Sequence, residues 1–146
     1  GFISYYSGIQ NLKVLAGIKN KIGNLQIRDA MKRVGLDPDL KLSVKKYSLG
    51  MRQRLGLAQA MMESPSVLIL DEPTRGIDVG AKYEIYQLIL DLANKDKVVM
   101  VVSSEMPELL GICDRILVMS GGRLAGEVDA KTATQEEIMT LAAKYV

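Results

Sequence analysis

Histidine is absent from all 146 residues, which removes the commonest general base and metal ligand together. Cysteine occurs once, at Cys113, so no disulfide can close within the chain, a usage that suits a reducing compartment. No apolar run approaches the roughly 20 residues that a membrane-spanning helix needs. No basic start leads into an apolar run as a signal peptide would. Neither sign of charge dominates: 19 Lys and Arg stand against 17 Asp and Glu, a net +2. Such a near-balance gives no electrostatic argument for nucleic acid, where a basic face or stripe would be expected, and nucleic acid is not an expected partner. Nowhere does the chain hold Gly-x-x-x-x-Gly-Lys-Ser/Thr, the loop whose backbone cradles phosphates. There is no internal repeat. Gly1 in place of Met leads us to expect a chain cut or processed from a longer one.

What is present is globular in composition, with 48% apolar residues, enough for one domain with a core. Apolar residues three and four apart predict helices over 11–18 and 25–34, the second stopped by Gly35. Asp37-Pro38-Asp39 reads as a turn, and 41–46 as a solvated basic linker. Ser48 is a good N-cap for a helix running to Met62. Val67-Leu68-Ile69-Leu70 has the continuous apolar pattern of a strand covered on both faces. A helix over 81–92, strands over 97–103 and 115–119, a turn at Gly121-Gly122, a strand over 123–128 and a helix over 134–145 complete the reading. Strands alternating with helices predict an α/β fold with a parallel sheet, and the last two strands a hairpin.

Two segments carry candidate chemistry. The strand 67–70 ends in Asp71 and Glu72, at the carboxyl end where ligand sites gather in open α/β sheets. Adjacent carboxylates there suit nucleotide hydrolysis, one holding a metal or its waters and one working on the attacking water; an acidic, solvated strand end is the simpler alternative. Ser48 and the free N–H groups behind it form a helix start that attracts a phosphate, or simply an ordinary capped helix. Asp78, after Gly76, is either functional or a turn stabiliser.

Tyr47-Ser48-Leu49-Gly50-Met51-Arg52-Gln53-Arg54-Leu55 and Leu70-Asp71-Glu72-Pro73-Thr74-Arg75-Gly76-Ile77-Asp78 together resemble the signature, Walker B and D-loop elements of an ATP-binding cassette (ABC) ATPase. The resemblance implies an α/β, partial P-loop NTPase: a three-layer sandwich with a helical subdomain and without its P-loop strand. It assigns 1–46 to part of the helical subdomain, 47–129 to the signature, Walker B, D-loop and switch portion of the core, and 130–146 to a C-terminal helix. It makes Asp71 the Mg2+ ligand and Glu72 the catalytic residue, with Ser104 in the place of the usual switch histidine. Ser48, Gly50, Gln53 and Asp78 become nucleotide-binding. Leu49 and Met51 depart from the Leu-Ser-Gly-Gly-Gln pattern.

ATP and Mg2+ are the implied cofactors, with weak or absent binding by this chain alone. The implied function is an ATP-binding, ATP-hydrolysing subunit of an ABC membrane transporter. Its partners would be a transmembrane permease subunit and a second ATPase domain, and its place the cytoplasmic face of the cell membrane. The alternative is a non-catalytic assembly module that docks a transmembrane partner or completes another chain's ATP site.

Two branches of the family are resembled. Residues 1–74 are similar to bacitracin- or lantibiotic-type exporter ATPases. From Arg75 onward, Arg75-Gly76-Ile77-Asp78-Val79-Gly80-Ala81-Lys82 and Ser103-Ser104-Glu105-Met106-Pro107-Glu108 are similar to the second ATPase domain of galactose/methyl-galactoside-type sugar importers. A mosaic is the expectation. Without a P-loop strand, the row 98–102 should also be repaired, either by 115–119 moving beside it or by a homodimer through strand pairing.

Overall fold

Three helices with apolar residues three and four apart build the core of the first of two units. A computed structural model describes residues 1–19 and 21–146, and the units are Gly1–Met100 and Val101–Val146. Helix α1 (Gly8–Lys19) buries Leu12 and Ala16, α2 (Asn24–Arg33) buries Ile27, Ala30 and Met31, and α3 (Leu49–Met61) buries Leu55, Leu57 and Ala58. The three pack on one another.

The segment before α1 is pinned by Asn11, which is 2% exposed. Its side-chain oxygen accepts the Ile3 N–H at 2.6 Å, and its amide donates to the Ile3 and Ser7 carbonyls at 3.0 and 3.1 Å. Tyr47 is buried as well, and its hydroxyl accepts the Gly8 N–H at 3.3 Å. Burial pushes its phenol above the ordinary range. A Cβ on Gly8 would stand 2.7 Å from that hydroxyl, so glycine is required there.

Helix α2 ends as its sequence predicts. Gly35 takes φ +72°, and the Leu36 N–H reaches back to the Met31 carbonyl at 2.9 Å, the bond pattern of a glycine C-cap. The basic segment that follows is not a free linker. The Val44 and Lys45 N–H groups donate to the Tyr6 and Ser4 carbonyls at 2.8 and 2.9 Å, Val44 is buried, and 44–46 make a short 3-10 turn. Apolar Val44, placed among lysines, is what draws the segment inward.

Strand β1 (Val67–Asp71) pairs with β2 (Val98–Val102), and α4 (Val79–Ala93) lies between them in sequence. The Val98 N–H donates to the Ser66 carbonyl at 2.9 Å, so both strands set out from the same end. Coverage of β1 on both faces is not what occurs. Leu68 and Leu70 are buried, while Val67 and Ile69 are 54% and 66% exposed, as are Val98 and Met100 at 61% and 49%. An apolar run signals that both faces can be buried; among the described residues, only one face of this pair is.

In the second unit, β3 (Arg115–Ser120) and β4 (Arg123–Asp129) form the expected antiparallel hairpin, turning at Gly121 and Gly122, both at positive φ. Its inner face packs Ile116, Val118 and Val128 against Ile138 of α6 (Gln135–Ala142). Thr134 caps α6 by accepting the Glu137 N–H at 3.2 Å. The strand repair expected of 115–119 is not seen among the described residues, where β3 pairs with β4 and β2 with β1. Helix α5 (Met106–Ile112) was not predicted; at seven residues it is too short to show a period.

Burial raises the Cys113 thiol above its ordinary range, with Asp114 and Glu108 adding to the effect. Alkylation at neutral pH should therefore be slower than for a free thiol. Stability from this neutral thiol is present below the ordinary thiol range and lost as pH rises through the raised value. A Cys113 labelling rate matching that of a model thiol at every pH would contradict this.

Candidate functional site

The helix starts that cap themselves with Ser48 and Asp78 meet at one cavity of about 180 Å³. The Ser48 hydroxyl oxygen accepts the Met51 N–H at 3.1 Å and holds the first turn of α3. Its own O–H proton is not used in that bond and can donate to an anionic oxygen. One carboxylate oxygen of Asp78 accepts the Ala81 N–H at 3.2 Å and caps α4. Ser48, Gly50 and Asp78 all line the cavity, with Met51 and Arg54 beside them. Gln53 is half-buried on α3 and is not among the lining residues.

Leu49, the departure from glycine in the signature pattern, is accommodated by a glycine elsewhere. Gly76 sits at φ +74°, and a Cβ there would stand 3.1 Å from Leu49 Cδ2. The Ser48 turn therefore packs directly on the turn that leads into α4.

Asp71 closes β1 and is exposed, on the same face as Val67 and Ile69 by the two-residue alternation of a strand. Glu72 follows at φ +45°, a left-handed conformation costing about 1–2 kcal/mol for a residue with a Cβ. The turn it begins is closed by Arg75 N–H to Glu72 carbonyl at 3.2 Å and Ile77 N–H to Thr74 carbonyl at 3.1 Å. Thr74 is 1% exposed, an anchor that the sequence reading passed over. Asp71 and Glu72 are not lining residues of the cavity at Ser48.

No group of three or more acidic or Cys side chains that would hold a metal occurs among the described residues. Mg2+ commonly takes one or two carboxylates plus waters and substrate phosphates, so a lone exposed Asp71 fits the protein's share of such a site.

Ser104 lies in the second unit and is exposed. Its neighbour Ser103 is the more constrained residue. The Ser103 hydroxyl donates to Glu108 Oε2 at 2.6 Å and accepts the Glu105 N–H at 3.1 Å, and Glu108 is 6% exposed. The spacing Ser-x-x-x-x-Glu was the available signal for this clamp. Arg54 was also missed, for want of any local signal. It forms an ion pair with Glu84, thirty residues away.

Residues 7–75 match the family model described as ABC transporter. The galactose/methyl galactoside import ATP-binding protein MglA 2 of Photobacterium profundum is 58% identical over 109 residues, which is 75% of this chain and 22% of that protein. The MglA protein of Pasteurella multocida is 49% identical over 140 residues, 96% of this chain and 27% of that protein. This chain thus spans about a quarter of the length of these relatives. Similarity at 49% identity runs straight across the expected junction near residue 74, so neither the two-branch mosaic nor kinship to bacitracin-type exporters is supported.

Among solved structures, cbiO1 from Clostridium perfringens, part of the ABC transporter complex cbiONQ, superposes with a TM-score of 0.79 at 24% identity, covering 94% of this chain and 57% of that one. The dimeric post-hydrolysis state of the ATP-binding cassette MJ0796 bound to ADP and Pi gives 0.77 at 20% identity, covering 91% and 60%. The chain therefore carries the ATP-binding-cassette fold, and its homologues are import ATP-binding proteins of ABC transporters.

Proposed function

We propose that this chain supplies the signature and Walker B elements of an ATP-hydrolysing domain that drives an ABC transporter for a galactose-type sugar. The observation that carries the reading is the cavity where the Ser48-capped start of α3 meets the Asp78-capped start of α4. Two helix N-termini with their partial positive charge, and a serine O–H proton, suit the terminal phosphate of a nucleotide held by a second ATPase domain. In this reading Ser48 and Gly50 meet that phosphate, while Gln53 and Asp78 lie in its neighbourhood. Asp71 holds Mg2+, which when bound offsets phosphate charge. Glu72 takes a proton from the attacking water, and Ser104 donates a hydrogen bond from the switch position without a histidine's charge.

The partners are a transmembrane permease subunit, docked by the helices of 1–46, and a second ATPase domain, at the cytoplasmic membrane face. No helix among the described residues is long and apolar enough to cross a membrane. A homodimer through pairing at β2 is a further partner form.

Catalysis of phosphoryl transfer is mostly positioning and charge stabilisation by a glycine-rich loop and its lysine, and this sequence has none. The purified chain alone should bind MgATP too weakly for calorimetry at micromolar concentration and should show no turnover above buffer. Mixed with a cassette chain that carries such a loop, it should support turnover, and Ser48→Arg should abolish that support. Micromolar ATP binding by the chain alone, lost in Asp71→Asn, would overturn the dependence on a partner. Turnover insensitive to Ser48→Arg would overturn the site.

A further inference from the structure

Arg54 lies in the second turn of α3, six residues beyond the Ser48 cap, with its side chain 20% exposed. One end of its guanidinium pairs with the Glu84 carboxylate in α4. The other end, Nη1, donates to the Val34 carbonyl at 3.5 Å, at the end of α2. That carbonyl lies where α2 concentrates its partial negative charge, a favourable place for a cation. Gly35 leaves room for the guanidinium: a Cβ there would approach Nη1 to 2.9 Å, and the φ of +72° requires glycine in any case. Arg54 also lines the cavity with Ser48, Gly50 and Asp78.

Energy is not what singles this contact out. Glu84 is 59% exposed, and a pair open to water is worth little by itself. Geometry is. A planar fork with donors at both ends spans two partners at once, where a lysine ammonium is a single point. A further tie between α3 and the turn into α4 is the packing of Leu49 on Gly76 and of Gly50 near Ala81. Both of these lie in the first turn of α3, so Arg54 supplies the second point that fixes the angle between helices.

We propose that Arg54 is a positioning residue: by joining the end of α2, the body of α3 and the second turn of α4, it sets where the Ser48 turn stands relative to the Asp78 turn. A shift of α2 then reaches the Ser48 turn through the Arg54 guanidinium as well as through the packing of α2 on α3. The consequence for nucleotide contact rests on the function proposed above, whereas the positioning itself does not, and the two are tested separately.

Hydrogen exchange of the full chain, resolved by residue, tests positioning without nucleotide. In Arg54→Ala and Arg54→Lys, exchange at the Met51 and Ala81 amides, which report the two caps, should rise about tenfold, with the Ala58 amide inside α3 unchanged. Gly35→Ala, which crowds Nη1 without touching α3, should raise the same two amides. Arg28→Ala, which removes the exposed Arg28–Asp39 pair at 2.7 Å, should raise neither. A uniform rise including Ala58 would make Arg54 a mere contributor to stability and overturn the proposal, as would Arg54→Lys behaving like the unaltered chain. Turnover with a loop-bearing cassette chain is the second arm. There Arg54→Lys should lower kcat several-fold with KM unchanged. If the unaltered chain supports no turnover, the nucleotide reading fails while the exchange result still decides the role of Arg54.

Discussion

Replacing Glu72 with Gln in a cassette that joins this chain to a phosphate-binding loop should lower turnover by about 10²–10⁴-fold, the range a positioned general base supplies. ATP binding should be unchanged. Gln is the same size, accepts the same left-handed backbone at φ +45°, and keeps one oxygen; it cannot take a proton. β1 ends at Asp71, and the backbone reverses immediately through the turn closed on Glu72 and Thr74. Strain held by the surrounding structure at such a point accords with a functional site. Single-turnover hydrolysis and equilibrium ATP binding, measured on the same preparation, separate the two effects. A Glu72→Gln variant that hydrolyses at the original rate removes the assignment.

Self-association is the other large effect expected. In sedimentation at about 100 μM, well above the weak end of specific interfaces, the chain should run as a dimer, and Ile69→Lys or Met100→Lys should return it to monomer. The β1–β2 pair has two free edges among the described residues. The β2 row Val-Val-Met-Val-Val carries none of the charges, prolines or bulges with which edge strands are blunted. Val67, Ile69, Val98 and Met100 stand about half exposed or more on one face. An unblunted edge offers its unpaired N–H and C=O groups to another chain, so edge-to-edge pairing is the expected form of the dimer. Both substitutions replace side chains that touch water already, and the helical core beneath should not notice them. A dimer unaffected by either, or a monomer throughout the concentration range, would exclude this face. Ser48→Arg should leave the dimer intact, which distinguishes it from association through the Ser48 cavity face.

The elements legible in the sequence were those whose signal is local and repeated. Helices α2, α3 and α4 announce themselves by apolar spacing and end residues, and Gly121-Gly122 marks the hairpin. The Ser48 cap follows from residue type alone, whereas Asp78 reads in the sequence as either functional or a turn stabiliser, and its carboxylate is found to cap α4. Contacts that join distant segments were not legible. Nothing near Arg54 announces Glu84 or the Val34 carbonyl, and Leu49 reads as a defect until Gly76 is seen beneath it. The run Val67–Leu70 misled for a related reason. Apolar residues record which faces a strand can bury, and the coverage depends on what else is there to lie on them.

The burial of Tyr47 gives the molecule a built-in optical reporter. The chain contains six tyrosines and no tryptophan, so tyrosine emission is not drained to a longer-wavelength acceptor. Tyr5, Tyr6, Tyr83 and Tyr145 are exposed, whereas Tyr47 is sealed at 4% with its oxygen against the Gly8 amide. Its absorbance therefore responds to the seating of α1 on α3. An alkaline difference spectrum registers that seating as a phenol that burial holds above its ordinary range, with no label attached and no cysteine consumed.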